Sequence, residues 1–289
     1  MAYETELSNL VTIGNAISAL ASPALVKAAI GLGLVHAETF STDTNVIKFR
    51  KNGNVVAETL AESTAYTPSA SSELTDSSIT CTAVKAVVAS KLSVEALRFG
   101  TSAASLERLA QEHGYALGRA FDAALLALFT GFSTGITATT VLTKDNLLDA
   151  AYNVRAGMKG AGGGKLVGVF DYKGVNEIRK ELTSISASAF SNPSLLQLVE
   201  KIPEPSALAG EFAGIEIYET DGLGTSGGDD IGAVFHPEYA FCAGLGGDVK
   251  TAVQFLGGSG GFVYEISSHF FYDVKEWNDA AGCKVLSDT

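Results

Sequence analysis

The chain has 289 residues, enough to bury a large core in one or two domains. It is apolar and low in charge, with a formal net charge of −12. This balance argues against a basic surface that wraps nucleic acid, and a surface with few charges is typical of contact with other protein. Cys81, Cys242 and Cys283 are widely spaced, which predicts buried free thiols instead of a disulfide framework or zinc site. Acidic residues precede the first apolar stretch, unlike a secretory signal, so cytoplasmic synthesis is expected.

Residues 1–40 predict an N-terminal arm. Leu10, Ile13 and Ile17 have helical spacing, and Pro23 is expected to break this helix or to start another. Two interpretations of the apolar remainder stay open. It is either a core segment of this subunit or an arm that packs on a neighbouring subunit.

Residues 46–59 predict a β-hairpin around Asn52-Gly53, because both turn positions favour positive φ. A two-residue loop would place Phe49 opposite Val56. A lone two-stranded ribbon is marginal in water, so this one is expected to lean on another surface. Its charged residues form either an ordinary solvated surface or a contact between subunits. The candidates for such an assembly contact are Lys48, Phe49, Arg50, Lys51, Asn54, Val56, Glu58 and Glu62.

A polar loop over residues 63–78 leads to an extended segment, Ile79–Leu92. The stretch Thr101–Gly131 then places apolar residues every three or four positions, which predicts one long helix capped by Thr101 or Ser102. Such a helix would be about 44 Å long. Its charged residues leave too short an uncharged run for a membrane span.

The composition changes after this helix, and residues 136–261 predict a compact mixed α/β domain. Thr143 and Asp171 are each placed to cap a helix, and Leu166–Phe170 reads as a buried strand. Residues 184–210 predict an irregular stretch with three prolines.

The last clear element, Phe262–Lys275, alternates almost strictly with period two. Its aromatic face is predicted to pack along the apolar face of the long helix, with a strand length of about 44 Å that matches the helix. The mixed domain would then be an insertion between these two elements.

The glycine-rich segment at 160–165 is a poor phosphate-binding loop. Lys159 occupies the position of its first glycine, Leu166 replaces the magnesium-binding hydroxyl, and the order of elements is reversed. Residues 222–230 predict a surface turn, and the histidines are isolated, with His113 expected to be a hydrogen-bonded interior residue. No catalytic, cofactor or metal site is predicted. A different class of protein, an enzyme that binds a nucleotide through these loops, is kept as an alternative. Nucleotide binding that is lost in Lys165→Ala would support it.

The order of elements is distinctive. A hairpin tipped by KNGN precedes the strand TCTAVKAVVASKLSVEALRFG and the helix SAASLERLAQEHGYALGRAFDAALLALFTG. An inserted domain with LVGVFDYKGVNEIRKEL follows, and GGFVYEISSHFFYDVKEW closes the series. This order resembles the major capsid protein of tailed bacteriophages, the fold of a Hong Kong phage shared with encapsulins. The resemblance covers essentially the whole chain and rests on element order and local patterns.

The resemblance implies an α+β capsid fold with an extended hairpin loop, a long spine helix and an inserted axial domain. The implied divisions are an N-terminal arm (1–40), an extended loop (41–80), a peripheral domain (81–135), an axial domain (136–261) and a return to the peripheral domain (262–289).

The implied function is a structural, non-enzymatic shell protein of the virion, assembled in the host cytoplasm from hexamers and pentamers around double-stranded DNA. The alternative is the shell of an encapsulin-type cellular compartment. Implied partners are copies of the chain itself, with portal, scaffolding and cement proteins. DNA would be enclosed without sequence-specific binding, and no membrane is involved. Because the arm begins directly, any scaffolding protein is expected to be separate. Lys48, Lys51 and Asn54 do not match an isopeptide cross-linking site.

Overall fold

The computed structural model of the chain describes residues 2–41, 44–52, 76–93, 102–137, 141–159, 164–186, 208–226, 228–258 and 261–288. The helices in this part are α1 (Ala2–Ala28), α2 (Ser102–Ala127), α3 (Lys144–Gly157) and α4 (Tyr172–Ser186). Short 3-10 turns occupy Gly31–Gly33, Leu128–Gly131 and Asp279–Ala281.

The described strands form three sheets. The peripheral sheet contains β1 (His36–Thr39), β4 (Val84–Ser93), β11 (Phe241–Leu245), β12 (Lys250–Gly258) and β13 (Gly261–Glu276). The ribbon consists of β2 (Val46–Asn52) and β3 (Asp76–Thr82). The lobe sheet contains β5 (Gly135–Thr137), β6 (Leu166–Phe170), β7 (Leu208–Phe212), β8 (Ile215–Glu219), β9 (Thr225–Ser226), β10 (Asp229–Phe235) and β14 (Gly282–Asp288).

The predicted packing of the long strand on the long helix is confirmed. Ile266, Ser268 and Phe270 are buried on one face of β13, and Phe270 packs with Leu117 of α2. The hydroxyl of Tyr272 donates to the carbonyl oxygen of Ala120 at 3.0 Å. The predicted equality in length is wrong, because β13 has 16 residues and α2 has 26, or about 54 and 39 Å. The extra strand length pairs with β11 beyond the end of β12.

The N-terminal arm forms one continuous helix that contains Pro23, which corrects the prediction of a break there. Pro23 lies on the exposed side, while Ala21, Ala24 and Leu25 are buried against α2. Tertiary packing of this face offsets the backbone hydrogen bond that proline removes. The interpretation of this segment as core of the same subunit is confirmed.

The helix α1 also contains, among the described residues, one window long and apolar enough to cross a membrane by length and composition, Val11–Ala28. In this fold it covers β12. The hydroxyls of Ser18 and Ser22 accept hydrogen bonds from the backbone N–H groups of Thr251 and Val249 at 2.9 and 3.1 Å. These bonds fix one side of the helix on the sheet, and 28% of the window is buried in this structure.

The extended segment predicted over Ile79–Leu92 is two strands that separate at Ala83. The first strand, β3, pairs with β2, and the second, β4, pairs with β13 along its whole length. One continuous stretch of chain therefore contributes a strand to each of two sheets. The backbone N–H of Ala83 donates to Asn45 at 2.8 Å, which closes the base of the ribbon.

Both predicted caps in the lobe are confirmed. The side chain of Thr143 accepts from the backbone N–H of Asn146, and the Asn146 side chain accepts in return from the Thr143 N–H, which forms a capping box. The carboxylate of Asp171 accepts from the backbone N–H of Lys173 at 2.9 Å at the start of α4. The strand predicted at Leu166–Phe170 is β6 and is buried throughout.

The division between the sheets does not coincide with the predicted domain limits at 136–261 and 262–289. The strands β11 and β12 fall within the first range but pair in the peripheral sheet. The strand β14 falls within the second range but pairs with β10 and β5 in the lobe sheet. The chain therefore returns to the periphery earlier than the sequence indicates and ends in the lobe.

Four phenylalanines join the lobe to the rest of the subunit. Phe235 ends β10, Phe241 begins β11, and Phe129 and Phe132 follow α2. All four are fully buried, and the ring centroids of Phe241 lie 5.1–5.8 Å from the other three. These rings form one contact that is shared by both larger sheets and the long helix.

Candidate assembly surface

The ribbon rests on the peripheral sheet through one apolar face. Phe49 of β2 and Cys81 of β3 are buried with Cys242 of β11, and Ile47 and Ile79 pack around them. The alternation of these side chains follows from the register, which pairs Phe49 with Ile79. A two-stranded sheet gains here the burial that it lacks alone.

Aromatic rings complete the surface on which the ribbon packs. The Phe49 ring lies 5.9 Å from His36 and 6.0 Å from Trp277, and these two rings lie 5.2 Å apart. The backbone N–H of Trp277 donates to Ala240 at 2.7 Å, which fixes the indole at the end of β13. Trp277 is therefore a packing residue, and its contact with the ribbon is a feature that sequence reasoning missed.

A charged side chain fixes the base of the ribbon as well. The backbone N–H of Thr82, the last residue of β3, donates to a carboxylate oxygen of Asp273 at 2.8 Å. Asp273 lies on β13, so this bond joins the ribbon to the strand at the centre of the peripheral sheet. The direction in which the ribbon leaves the subunit is therefore set by the peripheral sheet.

The other face of the ribbon is basic and exposed. Lys48 and Arg50 point to solvent opposite Thr80 and Ser78, and Lys51 is half-buried. Among the predicted contact residues, Phe49 is the one that the structure places inside its own subunit. The remaining predicted candidates, and with them the Asn52-Gly53 turn and its return strand, fall outside the described residues: Asn54, Val56, Glu58 and Glu62.

The described part of the ribbon pairs Phe49 with Ile79. The predicted partner, Val56, lies outside the described residues, so the hairpin around Asn52-Gly53 stays a prediction. Ile79 and Cys81 supply the apolar alternation that matches Ile47 and Phe49, and both pairs share the buried face. Burial on the peripheral sheet explains this choice of partner.

A buried polar network links the peripheral sheet to both long helices. His113 of α2 lies 2.8 Å from the hydroxyl of Ser90 and 2.9 Å from that of Ser268. Ser268 in turn contacts the hydroxyl of Thr251 at 2.8 Å, and the Thr251 backbone reaches Ser18 of α1. His113 is only 2% exposed, which confirms the prediction of a hydrogen-bonded interior histidine.

We expect this network to make the subunit sensitive to acid. Burial lowers the pKa of His113 below its ordinary value of 6.5, so the folded state favours the neutral ring. The unfolded chain then binds the proton first, and stability falls as the pH drops below 6.5 toward the lowered value. The slope from one such group is at most about 1.4 kcal/mol per pH unit.

Urea unfolding of wild type and His113→Gln between pH 7 and pH 5 measures this effect. The variant should lose less stability on acidification than the wild type. His236→Gln is a suitable comparison, since burial also lowers the pKa of His236, which lies outside this network. Equal slopes in wild type and His113→Gln would contradict the assignment.

Exposed apolar side chains lie on several outer surfaces of the subunit. On α1 they are Val11 and Val26, and on the edge strand β4 they are Val84 and Val87. The outer face of α3 exposes Tyr152, which is 70% accessible. Single exposed apolar side chains of this kind are ordinary on a protein surface and do not by themselves mark an interface.

Of the glycine-rich segment at 160–165, the structure describes Gly164 and Lys165. The amine of Lys165 lies 2.9 Å from a carboxylate oxygen of Glu216 and 3.5 Å from one of Glu211. Its charge is therefore directed to acidic side chains. In the described ranges, no group of three His, Cys, Asp or Glu residues is placed to hold a metal ion.

Solved structures share this fold over nearly the whole chain. A chain from Mycobacterium phage Che8 superimposes with a TM-score of 0.62 at 16% identity, covering 89% of this chain and 90% of that one. A chain from the capsid of the cyanophage P-SCSP1u gives a TM-score of 0.63 at 15% identity, with 91% and 89% covered. The capsid of an empty GTA particle gives 0.63 at 13% identity, with 91% and 90% covered.

The chain has the fold of the tailed-phage major capsid proteins. No protein-family model and no curated protein sequence matches it. The predicted α+β capsid fold is confirmed, and the encapsulin alternative gains no support from these neighbours.

Proposed function

We propose that this chain is the major capsid protein of a tailed bacteriophage. It assembles through hexamers and pentamers into the icosahedral head that encloses double-stranded DNA. The observation that carries the proposal is the agreement in fold with phage and particle capsids over at least 89% of both chains. The role is structural, and the protein resides in the virion.

The two larger sheets indicate which elements form the peripheral and the axial domain of the proposed capsid protein. We assign the peripheral domain to the peripheral sheet with α1 and α2, and the axial domain to the lobe sheet with α3 and α4. The axial domain would meet its copies around five-fold and six-fold centres. The limits of these domains are refined from the sequence-based ranges, since β11 and β12 belong to the periphery and β14 to the lobe.

Charge supports a role for the ribbon in assembly. The whole chain carries −12, so copies repel one another on average. Lys48 and Arg50 concentrate positive charge on the exposed face of the ribbon. A basic ribbon laid on an acidic neighbour replaces part of that repulsion with local attraction. The same net charge keeps enclosed DNA from binding tightly to the wall.

Size-exclusion chromatography and negative-stain electron microscopy of the expressed protein test the function. We expect hexamers, pentamers or closed shells. A folded monomer that persists at high concentration would contradict the proposal. Tight, saturable nucleotide binding that is lost in Lys165→Ala would favour the enzyme alternative instead. Portal, scaffolding and cement proteins are the further partners that we expect in the native head.

Reversing the charge of the ribbon should impair assembly without unfolding the subunit. In Lys48→Glu/Arg50→Glu both changes lie on the exposed face, so the expected change in the free energy of unfolding is within about 0.5 kcal/mol per site. The yield of shells should fall several-fold. Arg108→Glu/Arg119→Glu makes the same change of charge at exposed positions of α2, outside both the ribbon and the axial domain, and serves as the matched control. Equal loss of assembly in both variants would show that net charge, and not the ribbon, is responsible.

A further inference from the structure

Two of the three cysteines meet beneath the ribbon. Cys81 of β3 and Cys242 of β11 are 161 positions apart in sequence, yet their sulfur atoms lie 4.0 Å apart. Both are fully buried. The third cysteine, Cys283, is buried on β14 of the lobe sheet. The close pair therefore spans the contact between the ribbon and the peripheral sheet.

We propose that Cys81 and Cys242 form an oxidation site, at which hydrogen peroxide produces a disulfide that ties the ribbon to the peripheral sheet. The bond requires the sulfur atoms to approach from 4.0 Å to about 2.05 Å. The ribbon can move toward the sheet, because its described part has two strands and packs on the sheet mainly through the face that carries Cys81. The inference concerns a single subunit and holds whether or not the chain builds a shell.

The surroundings distinguish the two thiols. The contact between the two sulfur atoms lowers the pKa of Cys81, whereas the same contact and burial raise the pKa of Cys242. Cys81 is therefore the thiol that ionises first, and a thiolate is the form that peroxide oxidises. The Cys242 sulfur also lies 3.7 Å from the carbonyl oxygen of Lys275, so its S–H retains an acceptor after Cys81 reacts.

The reaction proceeds in two balanced steps. The Cys81 thiolate attacks one peroxide oxygen and the O–O bond breaks, which gives a sulfenic acid on Cys81 and, after protonation, one water. The Cys242 sulfur then attacks the sulfenic sulfur, the S–O bond breaks, and the Cys242 proton leaves with the hydroxyl as a second water. Peroxide is reduced by two electrons, and the two thiols are oxidised to one disulfide.

Access favours a small oxidant. Phe49 and Trp277 pack beside the sulfur atoms, so a bulky thiol reagent can reach them only when the ribbon opens locally. Hydrogen peroxide is close to water in size and carries no charge. Cys283 has no second thiol beside it in the described structure, and burial raises its pKa, so it should react more slowly.

Peptide mapping of the full-length protein after peroxide treatment tests the proposal. The protein is denatured in iodoacetamide, digested and analysed by mass spectrometry. We expect a linked peptide pair that contains Cys81 and Cys242, lighter by about 2 Da than the sum of the two thiol peptides, while Cys283 remains alkylated. The melting temperature should rise by about 5 °C or more and return after reduction.

Variants separate this pair from other thiol chemistry. Cys283→Ser should form the same linked peptides as the wild type, and Cys242→Ser should form none and leave Cys81 as a sulfenic acid that dimedone traps. Alkylation of both Cys81 and Cys242 after treatment, or their oxidation to sulfinic acid without a link, would overturn the proposal. So would a link from either residue to Cys283 or to a second chain.

Discussion

Replacing Phe241 by alanine is expected to lower the free energy of unfolding by about 3–5 kcal/mol. The ring is fully buried and contacts Phe129, Phe132 and Phe235. Its removal leaves a cavity where α2, the peripheral sheet and the lobe sheet meet, and backbone in three elements would have to shift together to fill it. The loss is therefore expected at the upper part of the range for large-to-small changes.

Urea unfolding monitored by circular dichroism measures the effect, with Phe255→Ala as the control. Phe255 lies on β12 and is 43% exposed, whereas Phe241 is fully buried, so the same truncation there should cost clearly less. Phe241→Leu should recover a substantial part of the loss, because it refills much of the volume. Equal destabilisation by Phe241→Ala and Phe255→Ala would show that the aromatic contact does not join the two sheets energetically.

The double variant Gly114→Ala/Gly118→Ala is expected to destabilise the subunit by about 2–5 kcal/mol. A Cβ on Gly114 would lie 2.4 Å from the carbonyl oxygen of Ala21, and one on Gly118 would lie 2.9 Å from the Cβ of Ala28. These neighbours belong to the backbone and first side-chain atoms of α1, so they cannot rotate away. Helix α1 must move off α2.

Helix propensity alone predicts that these substitutions stabilise the subunit, so the sign of the change in stability decides between the two effects. In an isolated helix each glycine-to-alanine change would stabilise by about 1 kcal/mol. Gly33→Ala is the control, because a Cβ there meets nothing within 4 Å. Differential scanning calorimetry of the variants measures the result. A melting temperature unchanged or raised in the double variant would show that the close approach of the two helices is not a constraint.

Local periodicity predicted the elements that organise the fold. The period of 3.6 residues in α2 and the period of two in β13 are visible in sequence because each element buries one face against the other. The caps at Thr143 and Asp171 were also predictable, since a helix start needs only the local chain.

The errors arose where distant residues decide the local structure. Pro23 is a strong local signal for a helix break, but the glycines of α2 that admit α1 lie about ninety positions away. The division of one extended segment at Ala83 depends on two different partners, β2 and β13. The return of β14 to the lobe sheet is a pairing with β10 and β5 that no short window of sequence encodes.

The need of the ribbon for a supporting surface was predictable, but the residues that form this surface were not. The turn signal Asn52-Gly53 and the basic residues Lys48 and Arg50 indicated a ribbon that needs another surface. The apolar face of the ribbon packs on Trp277 and Cys242. Both residues lie more than 160 positions after Cys81 in the sequence. Their local sequence gives no signal of this contact, because an isolated tryptophan and an isolated cysteine are typical of any core.

The threading of the chain between the two larger sheets has a mechanical consequence. Strand β10 in the lobe continues into β11 at the periphery, and β13 at the periphery continues into β14 in the lobe. An insertion tethered only at its entry and exit could pivot on that pair of links. Here the entry from α2 into β5 brings the number of links between the halves to three, so the lobe cannot pivot freely, and a load applied to one half of the subunit is shared by the other.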